Sequence, residues 1–158
     1  MTRRLFPAEL VLRHEPLSWR EANAAWQAGW FSPADLRAVA DHRVSTLDEA
    51  HPYEYELAFQ RADAPAAGLA ADLAALDPPL HEDGFRDKWF RLAVRWANEA
   101  PGAAAVAERL DDAYCALDHD PAFGPVSEYL PGHAGRVPDP GPDEARFRAL
   151  VAALLTSR

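Results

Sequence analysis

The chain has 158 residues, of which 49% are apolar and 26% charged, and its formal net charge at pH 7 is −9. These values fit one globular domain with a sizeable core and are too apolar for intrinsic disorder. The negative charge repels phosphate groups. It therefore excludes general binding to nucleic acid or to an anionic membrane surface, and it favours a basic protein partner.

The choice of apolar residues predicts an all-α protein. The chain contains no isoleucine, eight valines and three threonines, whereas alanine is its commonest residue. Because β-branched residues favour strands and alanine favours helices, little material is present for a sheet. A single cysteine suits a reducing compartment, and no apolar run is long enough to cross a membrane. We expect a cytoplasmic protein.

Helix signals are clear from the start of the chain. Ser18 and Glu21 form a capping-box pattern, and Gly29 can supply the left-handed residue that ends the helix. Ser32, followed by proline at the first helical position, starts another helix. On the helix predicted for 53–61, the side chains of Tyr53, Leu57 and Phe59 are expected to point inward. The predicted helices of this half cover 8–13, 18–29, 32–44, 53–61 and 65–76, the last with Leu69, Leu73 and Leu76 on one face.

Five tryptophans stand out in the sequence. At helical spacing, Trp19, Trp26, Trp89 and Trp96 are predicted to lie in the core rather than in a ligand pocket. Trp30 and Phe31 differ, because they form a short connector between two helices and a connector offers less burial. They are the candidate binding residues, as an exposed interaction patch.

The second half of the chain predicts helices over 84–100 and 103–117, and a short helix capped by Asp120. Proline and glycine then break regular structure. An amphipathic C-terminal helix follows, which we expect to pack on the domain, with pairing to a second subunit or partner as the alternative. The predicted fold is an all-α, compact single-domain bundle of about 6–8 helices with short connections, divided into a helical domain (1–131), a linker (132–142) and a C-terminal helix (143–158).

Three stretches together resemble a family of bacterial proteins known as domain of unknown function 2247. They occur in the family's order and span about residues 8 to 131. The resemblance implies a small helical bacterial protein and no particular activity, since the family offers no catalytic residues to carry over. The stretches are Pro16-Leu17-Ser18-Trp19 with Trp26, Gly29-Trp30 and Ser32-Pro33-Ala34-Asp35; Asp87-Lys88-Trp89-Phe90-Arg91-Leu92 with Trp96; and Tyr114 running into Asp120-Pro121 and Tyr129-Leu130-Pro131.

The sequence contains no catalytic signature for phosphate, nucleotide, acyl-transfer or zinc-protease chemistry. The weak metal candidate is Asp111, Cys115 and His119, whose i, i+4, i+8 spacing brings a carboxylate, a thiol and an imidazole toward one helix edge. The simpler interpretation is a half-buried Cys115 beside a solvated acidic face. Cys115 could also act as a nucleophile, but a small core residue is the commoner role.

These observations favour a non-enzymatic, acidic protein-binding module, of which an immunity-type protein that neutralises a basic toxin domain is one form. An acidic surface speeds association with such a partner. The alternatives are a small-molecule sensor with a tryptophan-lined pocket and a metal-dependent protein that uses the cluster from Asp111 to Asp120. No cofactor and no catalytic residue is expected, and the oligomeric state is left open.

Overall fold

A computed structural model describes residues 6–130 and 140–157. All regular elements in these two ranges are helical, which confirms the predicted all-α class. The chain divides into two compact units, residues 1–81 and 82–158. The predicted boundaries of the 1–131 domain and the 132–142 linker stay predictions, and most of that linker lies outside the described ranges.

The first unit contains five helices, each placed close to its prediction, within the part of the unit that the structure describes. They are α1 (Ala8–His14), α2 (Trp19–Gln27), α3 (Pro33–Thr46), α4 (Pro52–Ala58) and α5 (Ala66–Leu76). Helix α3 packs on α1 and α4, and α2 packs on α5. The predicted capping box of α2 is confirmed: the Ser18 amide donates to Glu21 Oε2 at 2.8 Å, and the Glu21 amide donates to Ser18 Oγ at 3.2 Å.

Asp35 joins the start of α1 to the start of α3. Its Oδ2 accepts hydrogen bonds from the Ser32 amide at 2.7 Å and from the Ser32 hydroxyl at 2.6 Å. Its Oδ1 accepts from the amide of Ala8, the first residue of α1, at 3.0 Å. The first amides of a helix have no partner within the helix. One fully buried carboxylate therefore serves two helix N-termini.

Asp77 makes a similar connection between α5 and α2. It follows the last residue of α5, and its Oδ2 accepts from the amides of Trp19 and Arg20 at the N-terminus of α2. Arg20 Nε donates in return to the Asp77 carbonyl at 2.7 Å. These bonds fix the end of α5 to the beginning of α2. The carboxylate is also favoured there electrostatically, because it lies at the positive end of the α2 dipole.

The second unit is built around α6 (Glu82–Asn98), with α7 (Ala103–Ala116) and α8 (Glu144–Thr156) packed against it. Helix α6 has buried side chains on several sides. They are Trp89, Phe90, Leu92, Ala93, Val94, Trp96 and Ala97. Arg109 of α7 donates to the Trp96 carbonyl at 2.8 Å and lies over the Trp96 ring at 5.1 Å.

The segment predicted as a short helix after Asp120 is a run of 3₁₀ turns, Pro121–Tyr129, and a second short 3₁₀ turn, Gly141–Asp143, precedes α8. Pro125 has no amide hydrogen to donate, which disfavours an α-helix there. Within the segment, the Phe123 ring packs edge-on against Phe90 at 4.8 Å and Tyr114 at 5.8 Å. Helix α8 packs on α6 and on this segment. In the described part of the chain, no helix has both the length and the apolar character that crossing a membrane requires.

Candidate functional site

Trp30 and Phe31 are not an exposed patch, and that prediction is wrong. Trp30 is 8% exposed and Phe31 is 4% exposed. The reason is the way α2 ends. Gly29 adopts a φ of 75°, and the Trp30 amide donates to the Ala25 carbonyl at 2.9 Å, which is a Schellman turn. This turn folds the connector back toward the core, where the Trp30 ring meets Phe6 edge-on at 5.2 Å.

The weak metal candidate is not assembled either. Helix α7 ends at Ala116, and Asp118 and His119 both have positive φ values of 52° and 57°. Asp and His adopt this left-handed conformation more readily than most residues. The turn carries His119 out of the helical register of Cys115, and its ring packs on Tyr114 at 4.6 Å. The described residues include no group of three or more His, Cys, Asp or Glu side chains that could hold a metal ion.

Cys115 is exposed, so its predicted half-buried or core position is wrong. Partial desolvation raises the pKa of the thiol, and the carboxylates of Asp111 and Asp112 raise that pKa further. The nucleophilic form of cysteine is the thiolate. The surroundings of Cys115 therefore disfavour its nucleophilic form at neutral pH.

Helix α4 is positioned by a buried carboxylate. Glu54 is 2% exposed, and its Oε1 accepts from Trp19 Nε1 of α2 at 2.6 Å and from Arg43 Nε of α3 at 2.5 Å. Its Oε2 accepts from the His51 amide at 2.8 Å, which completes a capping box at the start of α4. Arg43 also donates to the Leu17 carbonyl at 3.2 Å. Glu54 thus connects α4 to two other helices.

The charge of Glu54 is stabilised in this position. Burial alone raises the pKa of its carboxyl, but the hydrogen bonds from Arg43, Trp19 and the His51 amide, together with the Arg43 charge, outweigh it and hold the pKa below its usual range. Buried carboxylates are tolerated when they are paired and hydrogen-bonded. The result is a fixed inner face for α4, to which Leu57 adds a fully buried side chain.

The opposite face of α4 carries exposed aromatic side chains. Tyr55 is 43% exposed and Phe59, directly after the helix, is 78% exposed. Pro52 and Glu56 are exposed on the same side, since positions i, i+3, i+4 and i+7 share one helix face. We call Pro52, Tyr55, Glu56 and Phe59 the α4 outer face. Tyr53 is also exposed.

The expectation that Tyr53 and Phe59 point inward is therefore wrong, and Glu54 takes an inward position that was not foreseen. The missed signal is local: His51 followed by Pro52 with Glu54 at the third helical position is a helix start, and its acid is the capping residue. Leu76, also predicted inward, is exposed at the end of α5. Small residues and Leu73 pack that helix instead.

The chain segment that carries the α4 outer face is acidic in composition. Segment 47–63 contains five acidic residues and a single arginine, Arg61. Asp48, Glu49 and Glu56 are exposed, and Arg61 pairs with Asp63 at 3.5 Å. Exposed aromatic side chains are typical of protein interfaces, where tyrosine and phenylalanine are enriched.

A groove of about 790 Å³ lies between α1 and α3 and is open to solvent. Its volume lies in the range of small-molecule sites. The residues around it are Pro7, Glu9, Leu10, Leu12, Arg13, Ala38, Asp41, His42 and Ser45. No tryptophan belongs to this lining. Trp19, Trp89 and Trp96 are buried in the core as predicted, whereas Trp26, also predicted there, is only partly buried. The groove therefore does not provide the tryptophan-lined pocket of the alternative hypothesis.

In comparisons with known proteins, no protein-family model, no curated protein and no solved structure matches the chain. The resemblance to domain of unknown function 2247 therefore stays a prediction.

Proposed function

We propose that this chain is a non-enzymatic protein-binding module whose binding surface is the α4 outer face and whose partner is basic. The observation that carries the proposal is the exposure of Tyr55 and Phe59 on a helix whose inner face is held by Glu54. A large aromatic side chain that stays exposed to water does not gain the favourable free energy of burial. Its placement on a fixed helix therefore supports a role in binding.

Charge favours a basic partner over a second copy of the chain. The net charge of −9 and the acidic residues around α4 repel an identical surface and attract a positive one. Electrostatic attraction of this kind speeds association and selects against acidic partners. An immunity-type protein that blocks a basic toxin domain is the form of this function that we favour.

The test is co-expression with the protein encoded by the neighbouring gene, followed by measurement of the dissociation constant of the purified complex. Phe59→Ser is expected to weaken the complex by about 30-fold, because a central aromatic anchor contributes about 2 kcal/mol or more to binding. Leu80→Ser is the matched control, since Leu80 is an exposed apolar side chain of the same unit outside α4.

Three outcomes contradict the proposal in different ways. The absence of a complex with the neighbouring gene product contradicts the immunity-type form. A complex that Phe59→Ser and Leu80→Ser weaken equally contradicts the α4 outer face as the binding surface. A wild-type homodimer that Phe59→Ser converts to a monomer assigns the face to self-association and contradicts a basic partner. Sedimentation equilibrium measures this last outcome.

A further inference from the structure

The α4 outer face places a carboxylate beside two aromatic rings. Tyr55 and Phe59 are four residues apart, which makes them neighbours on a helix surface. Glu56 follows Tyr55 directly and precedes Phe59 by three residues, so it lies on the same side. All three side chains are exposed. One negative charge and two aromatic rings are therefore exposed on one side of the helix.

An arginine side chain is the group that uses all of these features together. Its planar guanidinium can lie on an aromatic ring while its N–H groups donate to a carboxylate. A lysine ammonium offers the same charge without the plane or the paired donors. We propose that Tyr55, Glu56 and Phe59 form an anchoring site for an arginine of the basic partner. This inference rests on the proposed function.

The chain uses the same combination internally. Arg43 lies over the Trp19 ring at 5.8 Å while its Nε donates to Glu54 at 2.5 Å. A guanidinium, an aromatic ring and a glutamate therefore already form one arrangement on the inner side of α4. On the outer side, Arg61 is two residues beyond Phe59 and pairs with Asp63. An arginine from outside the chain can make the corresponding arrangement with Glu56 and an aromatic ring on the outer side.

Two synthetic peptides of equal length and charge test the inference with the full chain. One carries four arginines separated by serines, and the other carries four lysines at the same positions. Isothermal titration calorimetry at low salt measures both dissociation constants. We expect the arginine peptide to bind three- to tenfold more tightly than the lysine peptide. Phe59→Ser and Glu56→Gln are each expected to bring this ratio close to one.

Asp72→Asn provides the control, because Asp72 is an exposed acid of α5 whose loss changes the net charge as Glu56→Gln does. It should weaken both peptides slightly and preserve their ratio. Far-ultraviolet circular dichroism checks that each variant keeps its helix content. Equal affinities in the wild type, or a ratio that survives both α4 substitutions, overturn the arginine site.

The two proposals fail separately. Loss of the neighbouring-gene complex in Phe59→Ser without any arginine preference contradicts only the arginine site. An arginine preference that depends on Glu56 and Phe59, with a complex that is insensitive to Phe59→Ser, contradicts the α4 outer face as the binding surface for that partner and leaves only the arginine preference of these residues standing.

Discussion

Replacement of Glu54 by glutamine isolates the contribution of one buried negative charge. The substitution changes neither the length nor the shape of the side chain appreciably. In the wild type, the two carboxylate oxygens accept three hydrogen bonds, from Trp19 Nε1, Arg43 Nε and the His51 amide. An amide has only one acceptor oxygen, and its NH₂ group must face a donor on the other side. At least one of the three bonds is lost.

The size of the effect follows from these bonds. A hydrogen bond to a charged group contributes about 1.5–3 kcal/mol and a neutral one about 0.5–1.5 kcal/mol. The lost bond leaves a buried donor without its acceptor. The remaining bonds are made to a neutral side-chain amide, and Arg43 keeps its positive charge without an opposite charge beside it. Arg43 keeps a quarter of its side chain in solvent, which screens part of the ion pair. We expect Glu54→Gln to lower the free energy of unfolding by about 2–3 kcal/mol.

Urea unfolding followed by far-ultraviolet circular dichroism measures this change. Glu56→Gln is the matched control, since it removes the same charge from the exposed side of the same helix and should cost less than about 0.5 kcal/mol. A Glu54→Gln protein within about 0.5 kcal/mol of the wild type would refute the view that this carboxylate holds α4 in place.

Four further perturbations have expected outcomes. The pKa of Glu54 is lowered in the folded state, so its contribution is complete above about pH 4.3 and is lost as the pH falls below that value; urea midpoints at pH 6 and pH 3.5 should differ more in the wild type than in Glu54→Gln. Asp35→Ala removes the acceptor of two helix N-termini and should cost about 2–4 kcal/mol in urea unfolding. Leu57→Ala should cost about 2–5 kcal/mol by the same assay, because the side chain is fully buried. Alkylation of Cys115 by iodoacetamide at pH 8 should be slower than that of free cysteine, and Asp111→Asn should accelerate it by lowering the thiol pKa.

Each of these expectations can be contradicted directly. Equal acid sensitivity of the wild type and Glu54→Gln would show that Glu54 does not have a lowered pKa. An Asp35→Ala protein of wild-type stability would show that its hydrogen bonds to α1 and α3 contribute nothing net. A negligible effect of Leu57→Ala would place that side chain outside the core. Rapid alkylation of Cys115 would indicate a thiolate that the neighbouring carboxylates do not suppress.

Local patterns in the sequence were sufficient for most helix positions. The Ser18 and Glu21 capping box, the left-handed Gly29 and the Ser32-Pro33 start each use atoms within a few residues of one another. Such features depend on short-range backbone geometry, so they can be predicted without knowledge of the fold. The same applies to the all-α class, which follows from alanine enrichment and the scarcity of β-branched residues.

Which side chains point toward the core was harder to predict than where each helix begins and ends. Trp30 was expected on a surface because it lies in a connector, yet a Schellman turn places it against Phe6, whose position depends on how α1 packs. Phe59 was expected inside, yet it is 78% exposed. A residue's side of a helix depends on which face finds a partner, and that choice belongs to the whole unit.

Helix α4 shows most clearly which features follow from the local sequence and which follow from tertiary packing. The sequence predicted a helix that begins next to Pro52, and the local information for its start was present in Pro52 and Glu54, although the capping role of Glu54 was not predicted. Only the tertiary structure decided which side faces outward, since the donors to Glu54 come from Trp19 and Arg43, residues 35 and 11 positions away along the chain. Satisfying that buried carboxylate turns Tyr55 and Phe59 toward solvent, and this orientation creates the surface that we propose for binding.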